Sequence, residues 1–124
     1  MLPVRSRLKD RNALASTIRR GQRARHRSLV IHYLQPQAQP VPDQPGQDQS
    51  EQAPQIAFAV NKAVGNSVVR HRVVRRLRHV MVGHLAELPT GSSLVVRALP
   101  SAASASSADF DRDISVLLPR VVNA

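Results

Sequence analysis

The stretch GNSVVRHRVVRRLRH, residues 65–79, decides the fold because it sets a helix between two strands. It holds five arginines and two histidines among valines and one leucine. Asn66 is the predicted N-cap, since its side chain can accept a hydrogen bond from a first-turn amide. At about 100° per residue, the apolar side chains from Val69 to Leu88 share an arc of about 160°, and the cations fill most of the rest. The pattern predicts one core-facing side and one positive side.

The positive side of this helix needs an explanation beyond local stability. Cations near a helix N-terminus are unfavourable by a few tenths of a kcal/mol each. Solvated helix faces usually mix charges, yet no acid occurs between Glu51 and Glu87. Arginine forks suit phosphate groups, so the one-signed face favours a polyanion. A plain solvated face is the alternative, and charge alone does not separate DNA from RNA.

The composition sets the class of protein. The chain has 124 residues and a net charge of +10, which fits one basic domain. It has no cysteine, which fits a reducing compartment, and we expect a cytoplasmic location. No apolar run is long enough to span a bilayer, so no membrane partner is expected. The Arg-rich residues 1–28 leave a mitochondrial transit peptide open as an alternative.

Periodicity predicts an α/β (α+β) two-layer sandwich, in which one sheet carries the helices. A single domain is expected over residues 1–124, with a disordered Gln/Pro-rich insertion at residues 35–55. Ser106 and Asp109 form a capping-box-like start to the last helix, and Pro119 should end or kink it near Leu118. The predicted order is helix 11–20 capped by Gly21, strand 28–34, loop, strand 55–60, the basic helix, strand 92–99 and the last helix.

Two segments carry a close resemblance to a known family. The run IAFAVNKAVGNSVVRHRVVRRLRHV (residues 56–80), followed by SLVVRALP (93–100), resembles the protein subunit of bacterial ribonuclease P and its RNR motif. The N-terminal run RLKDRNALASTIRRGQRARHRSLVIHYL (7–34) is similar to the same family. The resemblance covers all but the Gln/Pro-rich segment and is strongest to high-GC actinobacterial members.

The resemblance implies a specific function. In that family the RNA subunit carries the catalytic Mg²⁺ site, and the holoenzyme cleaves precursor tRNA to free the mature 5′ end. The protein is an accessory subunit that binds this RNA through its basic helix. It also binds the 5′ leader in a cleft between the sheet and the first helix. The resemblance also implies a left-handed crossover between parallel strands. No catalytic residue, metal ligand or small-molecule substrate is therefore expected for the chain itself.

The same resemblance assigns the site residues. The expected RNA-binding residues are Lys62, Asn66, Arg70, His71, Arg72, Arg75, Arg76, Arg78 and His79. His71 stands where the family usually has asparagine, and Val74 where it has lysine. The expected leader-cleft residues are Leu14, Ile18, Tyr33 and Phe58, the first two in place of the family's phenylalanines.

Three alternatives stay open at the level of sequence. Tyr33 fits ordinary sheet packing as well as the cleft. His84, on the apolar side of the basic helix, fits a packing role better than a metal pair with Glu87. For the whole chain, the competing function is a non-enzymatic basic RNA-binding module of the ribosomal type.

Overall fold

The computed structural model describes residues 7–8, 11–36 and 53–123, and these build one mixed sheet with three helices. None of the helices in these ranges is long and apolar enough to cross a membrane. The elements are α1 (Arg11–Arg20), β1 (Gln22–His26), β2 (Leu29–Leu34), β3 (Gln55–Ala59), α2 (Ser67–Val82), β4 (Ser93–Ala98) and α3 (Ser107–Val122), with short 3-10 helices at Leu85–Glu87 and Pro100–Ser104.

The sheet has the strand order β1-β2-β4-β3. The β1–β2 and β2–β4 pairs are antiparallel, whereas β3 and β4 are parallel. A parallel pair needs a crossover connection, and α2 lies within it. The α+β class expected from the sequence is thereby confirmed, and the left hand of the crossover stays an expectation of the resemblance.

The two faces of the sheet have different partners. Leu29, Ile31 and Tyr33 of β2 belong to the main core, together with buried side chains of α2 and α3. Because side chains alternate along a strand, Val30 and His32 point to the opposite face. There α1 packs across β2 and β4. The basic helix and α1 therefore lie on opposite sides of the sheet.

Several predicted helix ends are confirmed. The Asn66 side chain accepts a hydrogen bond from the Val69 amide at 3.0 Å and caps α2. At the start of α3, Ser106 Oγ accepts from the Asp109 amide at 3.1 Å, and Asp109 Oδ2 accepts from the Ser106 amide at 2.9 Å. Gly21 follows α1, with its amide bonded to the Thr17 carbonyl at 3.0 Å.

One strand was missed by the sequence prediction. The predicted sheet had three strands, but Gln22–His26 adds a fourth, β1, at the edge. This segment is polar and mostly exposed, so it lacks the apolar alternation that marks a half-buried strand. Its strand geometry comes from pairing with β2 through a tight turn, in which Arg27 has φ 53°.

Two helix ends also differ from expectation. The basic helix ends at Val82 with Gly83 as its C-cap. Leu88 therefore lies outside this helix: it follows a separate 3-10 turn and is buried in the core. In contrast, α3 does not end at Leu118 but continues through Pro119 to Val122. Val121 is buried in the core, and this packing holds the last turn. Most of the predicted disordered segment 35–55 lies outside the described residues, although Gln55 already belongs to β3.

Gly21 is required by a close backbone approach. A Cβ built on it would lie 2.3 Å from the Thr17 carbonyl oxygen and 2.6 Å from that of Tyr33. We expect Gly21→Ala to lower the free energy of unfolding by about 1–3 kcal/mol, the usual cost of overpacking. Urea denaturation checks this. Gly83→Ala is the matched control, because its Cβ would meet only the Val80 carbonyl oxygen at 3.5 Å. Equal midpoints for the two variants would contradict the prediction.

Asp113 on α3 gives a pH-dependent prediction. The side chain is buried, and burial raises its pKa above 3.8 despite His26 nearby and Ser28, which donates a long 3.5 Å hydrogen bond. A raised folded-state pKa means that the charged form opposes folding at neutral pH and that this penalty disappears as the pH falls below 3.8. We therefore expect Asp113→Asn to raise the urea midpoint at neutral pH, with the gain fading in acid.

Asp109 supplies the control of opposite sign. Hydrogen bonds from Ser106 lower its pKa below 3.8, so its charged form stabilises the fold above 3.8 and loses this effect as the pH falls through the lowered value. Asp109→Asn should lower the midpoint at neutral pH and not in strong acid. A lower midpoint for Asp113→Asn at neutral pH would show that its contact with His26 outweighs burial.

Candidate nucleic-acid interface

The outer side of α2 and the turn before it form a positive surface. Its inner side buries Val73, Leu77, Val80 and Met81 against the sheet and α3. The outer side exposes five basic side chains, which we call the α2 basic face: Lys62, His71, Arg75, Arg78 and His79. No described acidic side chain interrupts this set along the chain. The surface fits a run of phosphate groups.

Two arginines of the same motif have a different role. Arg76 Nη1 donates to the Ala105 carbonyl at 2.7 Å, and Arg72 Nη2 donates to the Ala103 carbonyl at 3.3 Å. These contacts hold the connection between β4 and α3 against α2. Both side chains are only partly exposed. Part of each guanidinium therefore braces the protein, and the expected role of Arg72 and Arg76 as RNA ligands stays a prediction.

The remaining motif residues lie near the start of α2. Asn66 is exposed and engaged as the N-cap. Arg70 is half-buried, and its Nε has no hydrogen-bond partner. Val74 is also half-buried, as its place on the apolar arc predicted.

The expected leader-cleft residues do not share one surface. Leu14 and Ile18 are on α1. Leu14 is half-buried, and Ile18 is 44% exposed. Tyr33 is 1% exposed within the main core, and burial raises its pKa while a hydrogen bond with Ser92 opposes that rise. Phe58 packs against the same core. Tyr33 and Phe58 thus point away from α1, which corrects their assignment to a cleft beside that helix.

The side chains that do face α1 were missed. His32 of β2 lies on that face with Arg23 of β1 and Arg97 of β4, both exposed. Burial, then the charges of Arg23 and Arg97, lowers the pKa of His32 below 6.5. Because neighbouring residues on a strand point oppositely, the place of Tyr33 in the main core puts His32 on this face.

The acids that the structure describes lie on the other side of the sheet. Asp109, Asp111 and Asp113 are on α3, and Glu87 is in the turn after α2. His84 joins two of them, with Nδ1 against Glu87 and Nε2 2.7 Å from Asp111 Oδ1. This arrangement ties the end of α2 to α3, so His84 has the packing role favoured by the sequence. Within the described ranges, no group of three or more histidine or acidic side chains is arranged so that it could hold a metal ion.

Comparisons with known proteins agree with this geometry. The family described as Ribonuclease P matches residues 2–122. A ribonuclease P protein component from Nocardioides sp. is 44% identical over 121 residues, covering 98% of this chain and 95% of the relative.

Solved structures show the same fold. The RNase P protein of Staphylococcus aureus superposes with a TM-score of 0.70 at 15% identity, over 95% of this chain and 93% of that one. The RNase P protein of Thermotoga maritima gives 0.71 at 16% identity, over 93% and 96%. Fold, basic helix and sequence thus converge, and the chain belongs to the ribonuclease P protein family.

Proposed function

We propose that this chain binds the RNA subunit of ribonuclease P through the α2 basic face and assists removal of the 5′ leader from precursor tRNA. One observation carries the proposal: the exposed cations of α2 form a one-signed row on a rigid helix whose other side is fixed in the core. Such a row can bind several phosphates of a structured RNA without rearrangement of the protein.

The leader is the second expected RNA contact. The sheet face beneath α1 is positive and lies across the sheet from α2, so two RNA segments could bind without competing. Supporting side chains on this face are Arg23 and Arg97. Catalysis and the catalytic Mg²⁺ are assigned to the RNA subunit and the substrate. The protein's own task is to hold the leader and to neutralise phosphate charge.

The test is cleavage of precursor tRNA by a bacterial ribonuclease P RNA at low magnesium, with and without this protein. We expect strong stimulation, because protein cations replace part of the counterion charge that magnesium otherwise supplies. Affinity should also be greater for precursor than for mature tRNA. Rigorously RNA-free protein should cleave nothing.

The outcomes separate this role from a general RNA-binding module. Tight RNA binding with neither stimulation nor leader preference would contradict the proposal and favour such a module. Activity of the RNA-free chain would contradict the assignment of catalysis to RNA.

A further inference from the structure

The sheet face beneath α1 carries a basic row that crosses three strands. Arg23 on β1 is paired directly with His32 on β2. Arg97 on β4 is paired with Val30, two residues from His32 and on the same face. Side chains in such direct and diagonal positions lie within about 8 Å of one another. His32 therefore lies between two exposed guanidinium groups.

His32 has no partner of its own. It is 4% exposed, and neither ring nitrogen makes a hydrogen bond. Leaving a buried polar group unpaired costs about 1–3 kcal/mol, so such a group calls for an explanation. On this face β3 contributes alanines, and α1 contains no acid. Among the described residues, the protein therefore offers no carboxylate here that could pair with the ring.

We propose that a leader phosphate binds between Arg23 and Arg97 and accepts a hydrogen bond from His32, which takes up one proton from solvent as the phosphate binds. This inference rests on the proposed function, because the leader is the RNA segment assigned to this face. The phosphate supplies both things that are missing: an acceptor for the buried ring and negative charge between two cations.

Access to His32 requires only a small adjustment of α1. Of the ten residues of this helix, Thr17 alone is buried, and Ile18 is 44% exposed. Little apolar contact therefore opposes a slight displacement that lets a phosphate oxygen reach the ring. The chain before the helix is tied to β3 by the Leu8 amide, which donates to the Ile56 carbonyl at 2.8 Å, and the helix end is connected directly through Gly21 to β1.

The sign of the pH dependence follows from the charges around the ring. In the free protein, burial and the two arginines lower the pKa of His32, so the ring is neutral near pH 7. A bound phosphate favours the protonated ring and raises that pKa. Leader affinity should therefore rise as the pH falls through the higher value and level off below the lower one. The charged residues of the elements packed on this face are Arg11, Arg19, Arg20, Arg23, Arg25 and Arg97.

The experiment measures, for the assembled holoenzyme, the affinity ratio of precursor to mature tRNA between about pH 8 and about pH 6. We expect the ratio to increase about three- to tenfold, within the limit set by one coupled proton. The ratio cancels any pH dependence that the two tRNAs share through the α2 basic face. His32→Gln should remove the pH dependence. His26→Gln, on the same hairpin but facing α3, should keep it.

Each outcome bears on a different claim. A leader preference that does not change with pH, or that changes equally in His32→Gln, would overturn the inference and leave the proposed function intact. No leader preference at any pH would contradict the proposed function itself. If His32→Gln fails to fold, Arg97→Gln on the exposed edge of the row should reduce both the preference and its pH dependence, and an unchanged profile would overturn the inference.

Discussion

Replacing Arg75 and Arg78 together by glutamine is expected to weaken binding to ribonuclease P RNA about tenfold or more at moderate salt. Both side chains are exposed on the α2 basic face, and neither takes part in a described hydrogen bond or ion pair. Each lost phosphate contact should also flatten the plot of log affinity against log salt by about 0.7–0.9. The measurement is a salt titration of RNA affinity for the two proteins.

Two control variants test whether the change in salt slope is specific to the exposed arginines of the α2 basic face. Arg120→Gln removes one positive charge from the exposed last turn of α3 and should leave the salt slope unchanged. Arg76→Ala should behave differently again, because Arg76 donates to the Ala105 carbonyl. We expect it to cost about 1.5–3 kcal/mol of folding stability, typical of a hydrogen bond from a charged group. If the double variant kept the wild-type slope, those two arginines would not lie in the RNA interface.

Arg75 and Arg76 have different roles, and the sequence alone could not predict this difference. The helical arc places both side chains on the outer half of α2 and predicts the same role for them. Their roles diverge because the connection from β4 to α3 returns beside the helix and offers a carbonyl to only one. That contact spans 29 positions of sequence, and periodicity within one helix contains no information about it.

The face of the sheet on which Tyr33 lies also could not be predicted from the sequence. Composition and alternation predicted β2, β3 and β4 to within one residue at most ends. They did not say which side of β2 faces α1, because β2 is buried on both sides. A strand covered on both faces loses the polar alternation that would mark its orientation. Tyr33 therefore takes the sheet-packing alternative that the sequence left open, and His32 was overlooked.

Leu77→Ala is expected to have the largest effect on stability, lowering the free energy of unfolding by about 2–5 kcal/mol. Leu77 is fully buried at the centre of the apolar side of α2. Domains of this size are stable by only about 5–15 kcal/mol, so the loss is a large fraction of the total. Thermal or urea unfolding measures it. Val68→Ala, at a position 73% exposed on the same helix, should change stability by less than about 0.5 kcal/mol.

The same variant tests how the core supports RNA binding. Leu77 and Arg78 are neighbours in sequence, but one faces the core and the other faces solvent. If packing fixes the row of cations, Leu77→Ala should weaken RNA binding in proportion to the unfolded fraction while keeping the wild-type salt slope, since no phosphate contact is removed. Saturating RNA should then restore much of the lost thermal stability. A reduced slope in folded Leu77→Ala would instead show that the cations rearrange when the core is altered.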